Sequence, residues 1–533
     1  MLRIKAIAIL VAATLLAATL SGCLTTGKGT GKYLRYSAGT EPETLDPRKS
    51  TGSPEAIIET QIFEGLTTLS DKDAPLPAAA DKWEISADGL VYTFHIRDAA
   101  RWSNGDPVTA HDFEYAWKSA LSPEFGSKYA YQLFYLKNGE AYNKGSRRAD
   151  EVGVQAVDDH TLKVTLQRPT PYFLSLTAFH TYYPVHRKTV QENARWATDP
   201  RTIIGNGPFK VTVWVHNSKL EFAKNEFYWD AAKVRLSRMD FILTDSATTE
   251  LAMFENNQLD LGGNVPVSEI PRLQKEGKLK IYPLLATYFY CFNVTKAPFD
   301  DVRVRKAFTL AIDRTAIVNN VSRGGQKPAL AWVPYGLADD KAGNDFRQVG
   351  GDFFADNDVA TAKRLLAEAG YPGGKGLPPV TLLYNTSEGH KAIAEAVQEM
   401  WKKNLGVEVS LANQEWKVFL NARAKGDFQV ARHGWTGDYL DPMTFIDMFT
   451  EDSGTNDAQY KNPTYEALVR QAKESNDQEL RLRLMHQAES LLMEDAVLAP
   501  VYFYTNAVLV KPKVKGYIRS VTGLFYFKEA YVE

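Results

Sequence analysis

Cysteine is the scarcest residue type in this chain, whose 533 residues include two, Cys23 and Cys291. Two thiols exclude both a disulfide framework and any metal site built from a cluster of cysteines. Cys291 lies in an aromatic run with no Cys or His at ligand spacing, which predicts a buried and inert thiol. The hydrophobic core must therefore hold the fold, and no cofactor or metal ion is expected.

An excess of one charge is also lacking. The chain has 62 Lys+Arg against 64 Asp+Glu, which gives a formal net charge of -2. No basic stripe stands out, so nucleic-acid binding is not expected. With 44% hydrophobic and 24% charged residues, the composition is that of a globular protein, and the length favours more than one domain.

Sequence motifs of enzymes are absent. The chain has no G-x-S-x-G, no H-E-x-x-H, no C-x-x-C and no phosphate-binding loop. The nine His are scattered, and no two carboxylates stand out as a catalytic pair. We therefore expect no enzymatic activity. An exported hydrolase remains an alternative that no motif supports.

Long apolar runs are missing except at the N-terminus. Arg3 and Lys5 precede an apolar run over 6–20, which is shorter than the ~20 residues of a membrane-spanning helix. The run ends in Leu-Ser-Gly-Cys at 20–23 and resembles a bacterial lipoprotein signal. We expect 1–22 to be a signal peptide, Cys23 to carry lipid and 23–32 to be a flexible tether. An uncleaved anchor is the alternative.

Hydrophobic periodicity predicts an α/β chain with an additional α+β region. Hairpins are expected over 83–97 and 154–166, within the α+β region. From about 360 to 432, helices and strands alternate, which predicts a mostly parallel sheet with helices on its faces. Further strands are predicted at 33–37, 209–215, 220–223, 239–243, 279–284, 287–294, 498–504 and 507–510.

The stretch 414–442 concentrates aromatic and charged residues. The segment 428–432 reads as a strand, and the glycines after it predict a turn where the backbone approaches another group. Asp438 follows the strand, in a position where ligand-binding groups often lie. Packing of the aromatics in a core is the structural alternative. The candidate binding residues in this stretch are Trp416, Arg423, Arg432, Gly434, Trp435 and Asp438.

Several further stretches stand in one order along the chain. They are ETLDP (43–47), FEG (63–65), YTFH (92–95), WSNGDPVTA (102–110), DDHTL (158–162), PFDDVRVR (298–305) and LLYNTS (382–387). Together with 414–442 they resemble the extracytoplasmic oligopeptide-binding proteins of bacterial ABC importers, solute-binding family 5. The resemblance extends from about residue 33 to the C-terminus.

The resemblance implies a periplasmic-binding-protein-like type II fold, with two main α/β lobes joined by a hinge and an extra α+β lobe. Lobe I would comprise 33–64, 186–285 and 506–533. Lobe II would be 65–185 and lobe III 286–505. The chain would cross between lobes I and III near Leu285 and Asn506, and bending there would close the protein on its ligand.

The resemblance also implies a function and a set of site residues. The protein would be a monomeric, lipid-anchored receptor, facing the periplasm or the cell exterior. It would deliver oligopeptides to a membrane permease with its ATPase subunits. Dipeptides, cell-wall peptides or another small solute are alternative ligands. Asp438 would pair with the peptide α-ammonium group. Contacts to C-terminal carboxylates would come from Arg423, Arg432 and His390, and the side-chain pockets would be lined by Trp416, Trp435, Tyr129 and Tyr504.

The chain departs from the enterobacterial members of that family at three places. Their disulfide joins positions that correspond here to Ala286 and Thr436, so that bridge cannot form. Leu284 replaces an aromatic residue and Cys291 an acidic one. The changes at Leu284 and Cys291 predict a different preference for the side chains of the bound peptide. Without the disulfide, the loop that carries Asp438 is either more mobile or held in place by packing.

Overall fold

The computed structural model describes residues 32–341 and 343–533. The predicted signal peptide, Cys23 and nearly all of the tether lie outside the described residues. In chain order the strands are β1 (Tyr33–Gly39), β2 (Thr67–Leu69), β3 (Pro75–Pro77), β4 (Ala80–Ile85), β5 (Val91–Ile96), β6 (Val154–Ala156), β7 (Thr161–Thr165), β8 (Phe209–Val215), β9 (Lys219–Lys224), β10 (Arg238–Leu243), β11 (Leu261–Gly262), β12 (Leu279–Phe292), β13 (Lys327–Pro328), β14 (Val380–Asn385), β15 (Val409–Gln414), β16 (Val430–Thr436), β17 (Leu498–Val510), β18 (Val514–Lys515), β19 (Ile518–Arg519), β20 (Phe525–Tyr526) and β21 (Tyr531–Val532).

Many of the α-helices begin after a Ser, Asp or Asn whose side chain caps the first turn. Thr109 precedes another helix, and the Asp112 carboxylate accepts hydrogen bonds from both its backbone N–H and its hydroxyl. Within the described residues, no helix is long and apolar enough to cross a membrane. The helices are Ser53–Ile62, Ala110–Leu121, Gly139–Asn143, Phe173–Leu176, Arg187–Glu192, Ala247–Glu255, Ile270–Lys275, Val302–Leu310, Arg314–Ala316, Phe346–Gly350, Val359–Glu368, Glu388–Leu405, Trp416–Ala424, Met443–Ile446, Pro463–Glu474 and Gln478–Glu494.

One 11-stranded sheet runs through most of the molecule, in the order β15-β14-β16-β12-β17-β11-β1-β10-β9-β8, with β13 paired to β17. Pairing is parallel only where β14 meets β15 and β16 and where β1 meets β10 and β11. The parallel pairing predicted for 360–432 is therefore confirmed for β14, β15 and β16. It does not extend to the whole sheet, because β12 and β17 insert between the two parallel regions and pair antiparallel.

Strands β12 and β17 connect the two halves of the large sheet. The sequence predicted each of them as two shorter strands. The structure shows continuous strands whose mutual pairing is interrupted between Pro283 and Thr287. This interruption is a local irregularity rather than a turn, so the strands bend without ending.

A separate four-stranded antiparallel sheet, β4-β5-β7-β6, contains both predicted hairpins. Helix Ala110–Leu121 packs on it and buries Phe113 and Trp117 completely. Burial of such large aromatic side chains contributes roughly 1.5–3 kcal/mol each to the stability of this region. Because strands and helices segregate here, the predicted α+β region is confirmed.

Strand β16 begins and ends later than predicted, and Gly434 lies inside it, opposite Tyr288, rather than in a turn. The predicted close approach is nevertheless present. A Cβ atom on Gly434 would lie 3.0 Å from the Tyr504 hydroxyl and 3.1 Å from the Arg432 guanidinium. A larger side chain at this position would therefore displace two of the predicted site residues. The neighbouring strand β12 buries Cys291 as a free thiol, as predicted.

Ala286 and Thr436 are directly paired between β12 and β16. Cβ atoms of directly opposed residues lie about 4.5–5.5 Å apart, somewhat beyond the usual Cβ separation of a disulfide, so a small backbone adjustment is required. We expect the double variant Ala286→Cys/Thr436→Cys to oxidise and to gain ~2 kcal/mol of stability. When the double variant is prepared as protein that begins after Cys23, thiol titration in denaturant should find one thiol, that of Cys291. Each single variant should show two thiols. Three thiols in the double variant would contradict the pairing.

Candidate functional site

A cavity of about 120 Å³ lies beside β16 and is lined by segments that are distant in the sequence. One wall comes from 51–56, a second from Tyr129 and its neighbours, and a third from 416–438. Six of the predicted site residues meet here, namely Tyr129, Trp416, Arg423, Gly434, Trp435 and Asp438. The fold thus brings five residues of the stretch 414–442 together with Tyr129, which only the family resemblance had linked to them.

The cavity is bordered by a strand edge. One side of β16 pairs with β12 along its full length, whereas the other side pairs with β14 only at Val430 and Ala431. In the described part of the chain, no strand pairs with this side of β16 from Arg432 to Thr436. Main-chain N–H and C=O groups on such an edge can bind an extended ligand by strand-like hydrogen bonds.

Asp438 presents a carboxylate to this cavity two residues after β16 ends. Its Oδ2 accepts a hydrogen bond of 2.7 Å from Gln132 Nε2, and its Oδ1 lies 3.4 Å from the Tyr129 hydroxyl. Among residues 32–341 and 343–533, no basic side chain forms an ion pair with it. Burial raises the pKa of Asp438 well above its usual range, and the charge of Asp447 raises it further. The site therefore favours a cationic ligand group.

Two tryptophans form walls of the cavity. Trp435 is buried, donates through Nε1 to the Thr444 carbonyl at 2.7 Å, and packs edge-on against Tyr129. The Trp416 ring lies next to Gly52, where a Cβ atom would be 3.3 Å away. Because Trp435 is fixed by its hydrogen bond, it provides a rigid apolar surface for a ligand side chain.

Arg423 is neutralised within the protein. Its Nε donates to Asp457 Oδ2 at 2.8 Å, and its guanidinium also donates to the His433 ring. Burial, together with the charge of Arg423, lowers the pKa of His433 to about 4, so this histidine is neutral and accepts the bond. Arg423 thus lines the cavity with its charge already balanced by Asp457.

Arg432, His390 and Tyr504 form a second group, which adjoins the cavity at Gly434. Arg432 donates to the Tyr504 hydroxyl at 2.5 Å and to Asn385 Oδ1 at 3.3 Å, while its buried Nε has no hydrogen-bond partner. Burial and the Arg432 charge lower the pKa of His390 well below its usual range. No carboxylate in the described part of the chain pairs with Arg432, so the group carries one unbalanced positive charge and favours an anion.

Some residues of the site carry no signal in the sequence. Gln132 and Thr444 contact Asp438, and Asp457 balances Arg423, but none of them belongs to a motif. Gln132 is 306 residues from Asp438 along the chain, so no local pattern could have linked the two. Only the three-dimensional arrangement identifies these supporting residues.

Comparison with protein families assigns the chain. Residues 74–457 match the family described as bacterial extracellular solute-binding proteins, family 5 Middle. The chain belongs to solute-binding protein family 5. A family 5 relative, the oligopeptide-binding protein OppA of Bacillus subtilis, is 43% identical over 511 residues, which cover 93% of this chain and 92% of the relative.

Solved family 5 structures confirm the periplasmic-binding-protein-like type II fold. OppA of Haemophilus influenzae in complex with RPPGFSPFR is 34% identical, covers 94% of this chain and 99% of its own, and has a TM-score of 0.88. The unliganded open form of the murein tripeptide binding protein MppA is 37% identical with coverage of 94% and 97%, yet its TM-score is 0.63. The arrangement of the present structure is therefore closer to the peptide complex than to the open form.

Proposed function

We propose that this family 5 protein captures oligopeptides outside the cytoplasm and delivers them to an ABC permease with its ATPase subunits. The observation that carries the proposal is a pair of unbalanced charges beside one free strand edge. Asp438 lies beyond the end of β16, and Arg432 lies on it. A peptide in zwitterionic form has one charge of each sign at its ends, and each would be neutralised here.

The spacing of the two charges supports a short peptide. The Arg432 guanidinium lies beside Gly434, which is four residues before Asp438. An extended chain rises ~3.3 Å per residue, so the backbone from Gly434 to Asp438 spans at most roughly 13 Å. An extended peptide of up to three or four residues matches that span. Trp416, Trp435, Tyr129 and Tyr504 would border its side chains, and His390 would lie near its carboxylate.

Domain closure is the second element of the proposal. Lobe I would comprise 33–64, 186–285 and 506–533, lobe II 65–185 and lobe III 286–505. The interruption of β12–β17 pairing between Pro283 and Thr287 supports a hinge near Leu285 and Asn506. The different TM-scores of the peptide complex and the open form support movement about that hinge.

The remaining elements of the proposal concern the cellular context. Cys23 would carry lipid, 1–22 would be removed as a signal peptide, and the tether would hold a monomeric receptor at the membrane. The absence of sequence motifs for catalysis supports binding without chemistry. Recovery of an intact peptide after long incubation with the pure protein would support this, and cleavage products would contradict it.

Titration calorimetry with three matched ligands tests the proposed function. Trialanine should bind more tightly than both N-acetyl-trialanine and trialanine amide, because each modified peptide leaves one buried charge unpaired. Alanine peptides of two to five residues would establish the preferred length, and a murein tripeptide would test the cell-wall alternative. Equal affinity for all three matched ligands would contradict terminal-charge recognition.

Peptide affinity should depend on pH through Asp438. The ammonium group pairs only with the ionised carboxylate, so affinity should fall as the pH drops through the raised pKa of Asp438. Above pH ~8, affinity should fall again as the peptide amine loses its proton. Calorimetry over the pH range where circular dichroism shows a folded protein would measure both limbs. An acid limb that persists unchanged in Asp438→Asn would contradict the assignment.

A further inference from the structure

Gln132 links two parts of the molecule that are far apart in the sequence. It lies in the short helical turn Ala130–Leu133, in the region of the four-stranded sheet, and its side chain is completely buried. Its Nε2 donates to Asp438 Oδ2 at 2.7 Å, next to the end of β16 in the large sheet. The backbone carbonyl of Gln132 accepts a 2.5 Å hydrogen bond from the Tyr182 hydroxyl, which holds the turn in place.

Other buried aspartates near Asp438 are paired with cations. Asp441 accepts from Arg481 at 2.7 Å, Asp457 accepts from Arg423 at 2.8 Å, and Asp447 lies 3.1 Å from Lys473 Nζ. Each of these partners balances the charge of its carboxylate. The side-chain donor close to Asp438 is instead a neutral amide.

This contrast has a direct consequence for ligand binding. A neutral donor stabilises and orients a carboxylate without cancelling its charge. A lysine or arginine in the same place would form an ion pair with the carboxylate and would compete with the ammonium group of the ligand. Gln132 Nε2 uses one hydrogen-bonding position of the Asp438 Oδ2 atom. The Oδ1 atom stays accessible to a ligand, because the Tyr129 hydroxyl lies 3.4 Å from it. An incoming ammonium group would therefore find a fixed carboxyl group that no side chain in the described part of the chain has already paired with a positive charge.

We propose that Gln132 is the positioning residue of the ammonium site: it holds the Asp438 carboxylate from the four-stranded-sheet region, so that a free α-amino group is preferred. This inference rests on the proposed function and deepens it. Further contacts fix Gln132 relative to Asp438, since the same two regions meet where the Tyr172 and Tyr439 rings stack at 4.6 Å and where the Tyr135 and Tyr439 hydroxyls lie 3.1 Å apart.

The substitution Gln132→Met tests the inference, because methionine has a similar length and no N–H donor. We expect trialanine to bind about 10- to 100-fold more weakly and to dissociate faster, because a hydrogen bond to a charged group is lost. Binding of N-acetyl-trialanine should change little, so the discrimination between the two peptides should shrink. A loss that is equal for both peptides would indicate general damage and would overturn the inference.

A double-mutant cycle separates positioning from an independent contact. In an Asp438→Asn background, Gln132→Met should cause almost no further loss of trialanine affinity. Full additivity would contradict the proposal. Arg168→Met is a matched control, because Arg168 forms a 2.8 Å ion pair with Glu474 between the same regions at the exposed surface. Its effect should remain within ~3-fold.

The outcome for the wild-type protein distinguishes this inference from the proposed function. If wild-type protein binds neither peptide, the proposed function itself fails. A second outcome is that the wild-type protein prefers trialanine, that Asp438→Asn loses this preference and that Gln132→Met keeps it. In that case the proposed function stands and the role assigned to Gln132 is wrong. Thermal unfolding of each variant checks that it remains folded.

Discussion

Replacing Asp438 with Asn is expected to weaken the binding of peptides with a free α-amino group by roughly 100-fold, which corresponds to losing one partner of a buried charge pair. Asn keeps the shape of the side chain but removes the charge that would neutralise the ammonium. Titration calorimetry with trialanine measures this effect. N-acetyl-trialanine should bind both proteins similarly, since it carries no ammonium group.

A matched control is available for that substitution. Asp452→Asn removes an exposed carboxylate that pairs with Lys144 at 2.7 Å, and it should leave peptide affinity within ~2-fold. If Asp438→Asn bound trialanine as tightly as the wild-type protein, the ammonium assignment would be wrong. A parallel loss for the acetylated peptide would instead indicate damage to the cavity.

The same substitution should stabilise the ligand-free protein at pH 7. Burial raises the pKa of Asp438 above its value in the unfolded chain, so the folded state binds its proton more tightly. Such a group contributes stability at pH below its unfolded pKa, and this contribution is lost as pH rises through the folded pKa. Asn avoids that loss, so the variant should unfold at a higher temperature. Lower stability would mean that the carboxylate already has a balancing partner.

Replacing Arg432 with Met is expected to weaken the binding of trialanine by roughly 30-fold or more, because the peptide carboxylate would lose a buried cationic partner. The Arg432 guanidinium is buried beside Tyr504 with one donor unpaired, so its charge is available to a ligand. Trialanine amide, which lacks the carboxylate, should bind the variant and the wild-type protein with similar affinity.

Two features distinguish this effect from general destabilisation. Arg432 pairs with no carboxylate in the described part of the chain, so its removal leaves no buried acid unpaired. Thermal unfolding measures the cost of losing its hydrogen bonds to Tyr504 and Asn385. Arg470→Met changes an exposed arginine in the same manner and should leave peptide affinity unchanged. If Arg432→Met weakened both peptides equally, the carboxylate assignment would be contradicted.

Hydrophobic periodicity predicted the hairpins and the parallel pairing of β14, β15 and β16, but not the antiparallel strands in the middle of the large sheet. The hairpins follow from turn residues between their strands, and the helix that begins after Thr109 follows from the capping pair of Thr109 and Asp112. The continuity of β12 and β17 could not be predicted from the sequence. In β12, for example, Pro283 and the residues after it resemble the end of a strand. Whether two strands run parallel or antiparallel depends on which distant strands pair, and the pattern of residues next to each other in the sequence does not contain that information.

The site residues also divide into those that the local sequence indicated and those that only the three-dimensional structure identifies. Asp438 and Trp435 stood out as polar and aromatic groups after a predicted strand, and the family resemblance gave them roles. Charge balance required the structure, because Arg423 looked as available as Arg432 in the sequence. The fold pairs Arg423 with Asp457 and leaves Arg432 with hydroxyl and amide partners. Gln132 had no signal at all, since its importance comes from one contact across the closed cavity.

The most direct test of peptide capture is native mass spectrometry of gently purified protein that begins after Cys23, followed by sequencing of the molecules that leave it on denaturation. We expect a mixture of short peptides with free amino and carboxyl ends and similar lengths. A single non-peptide compound would contradict the account and would assign Asp438 and Arg432 to a different ligand.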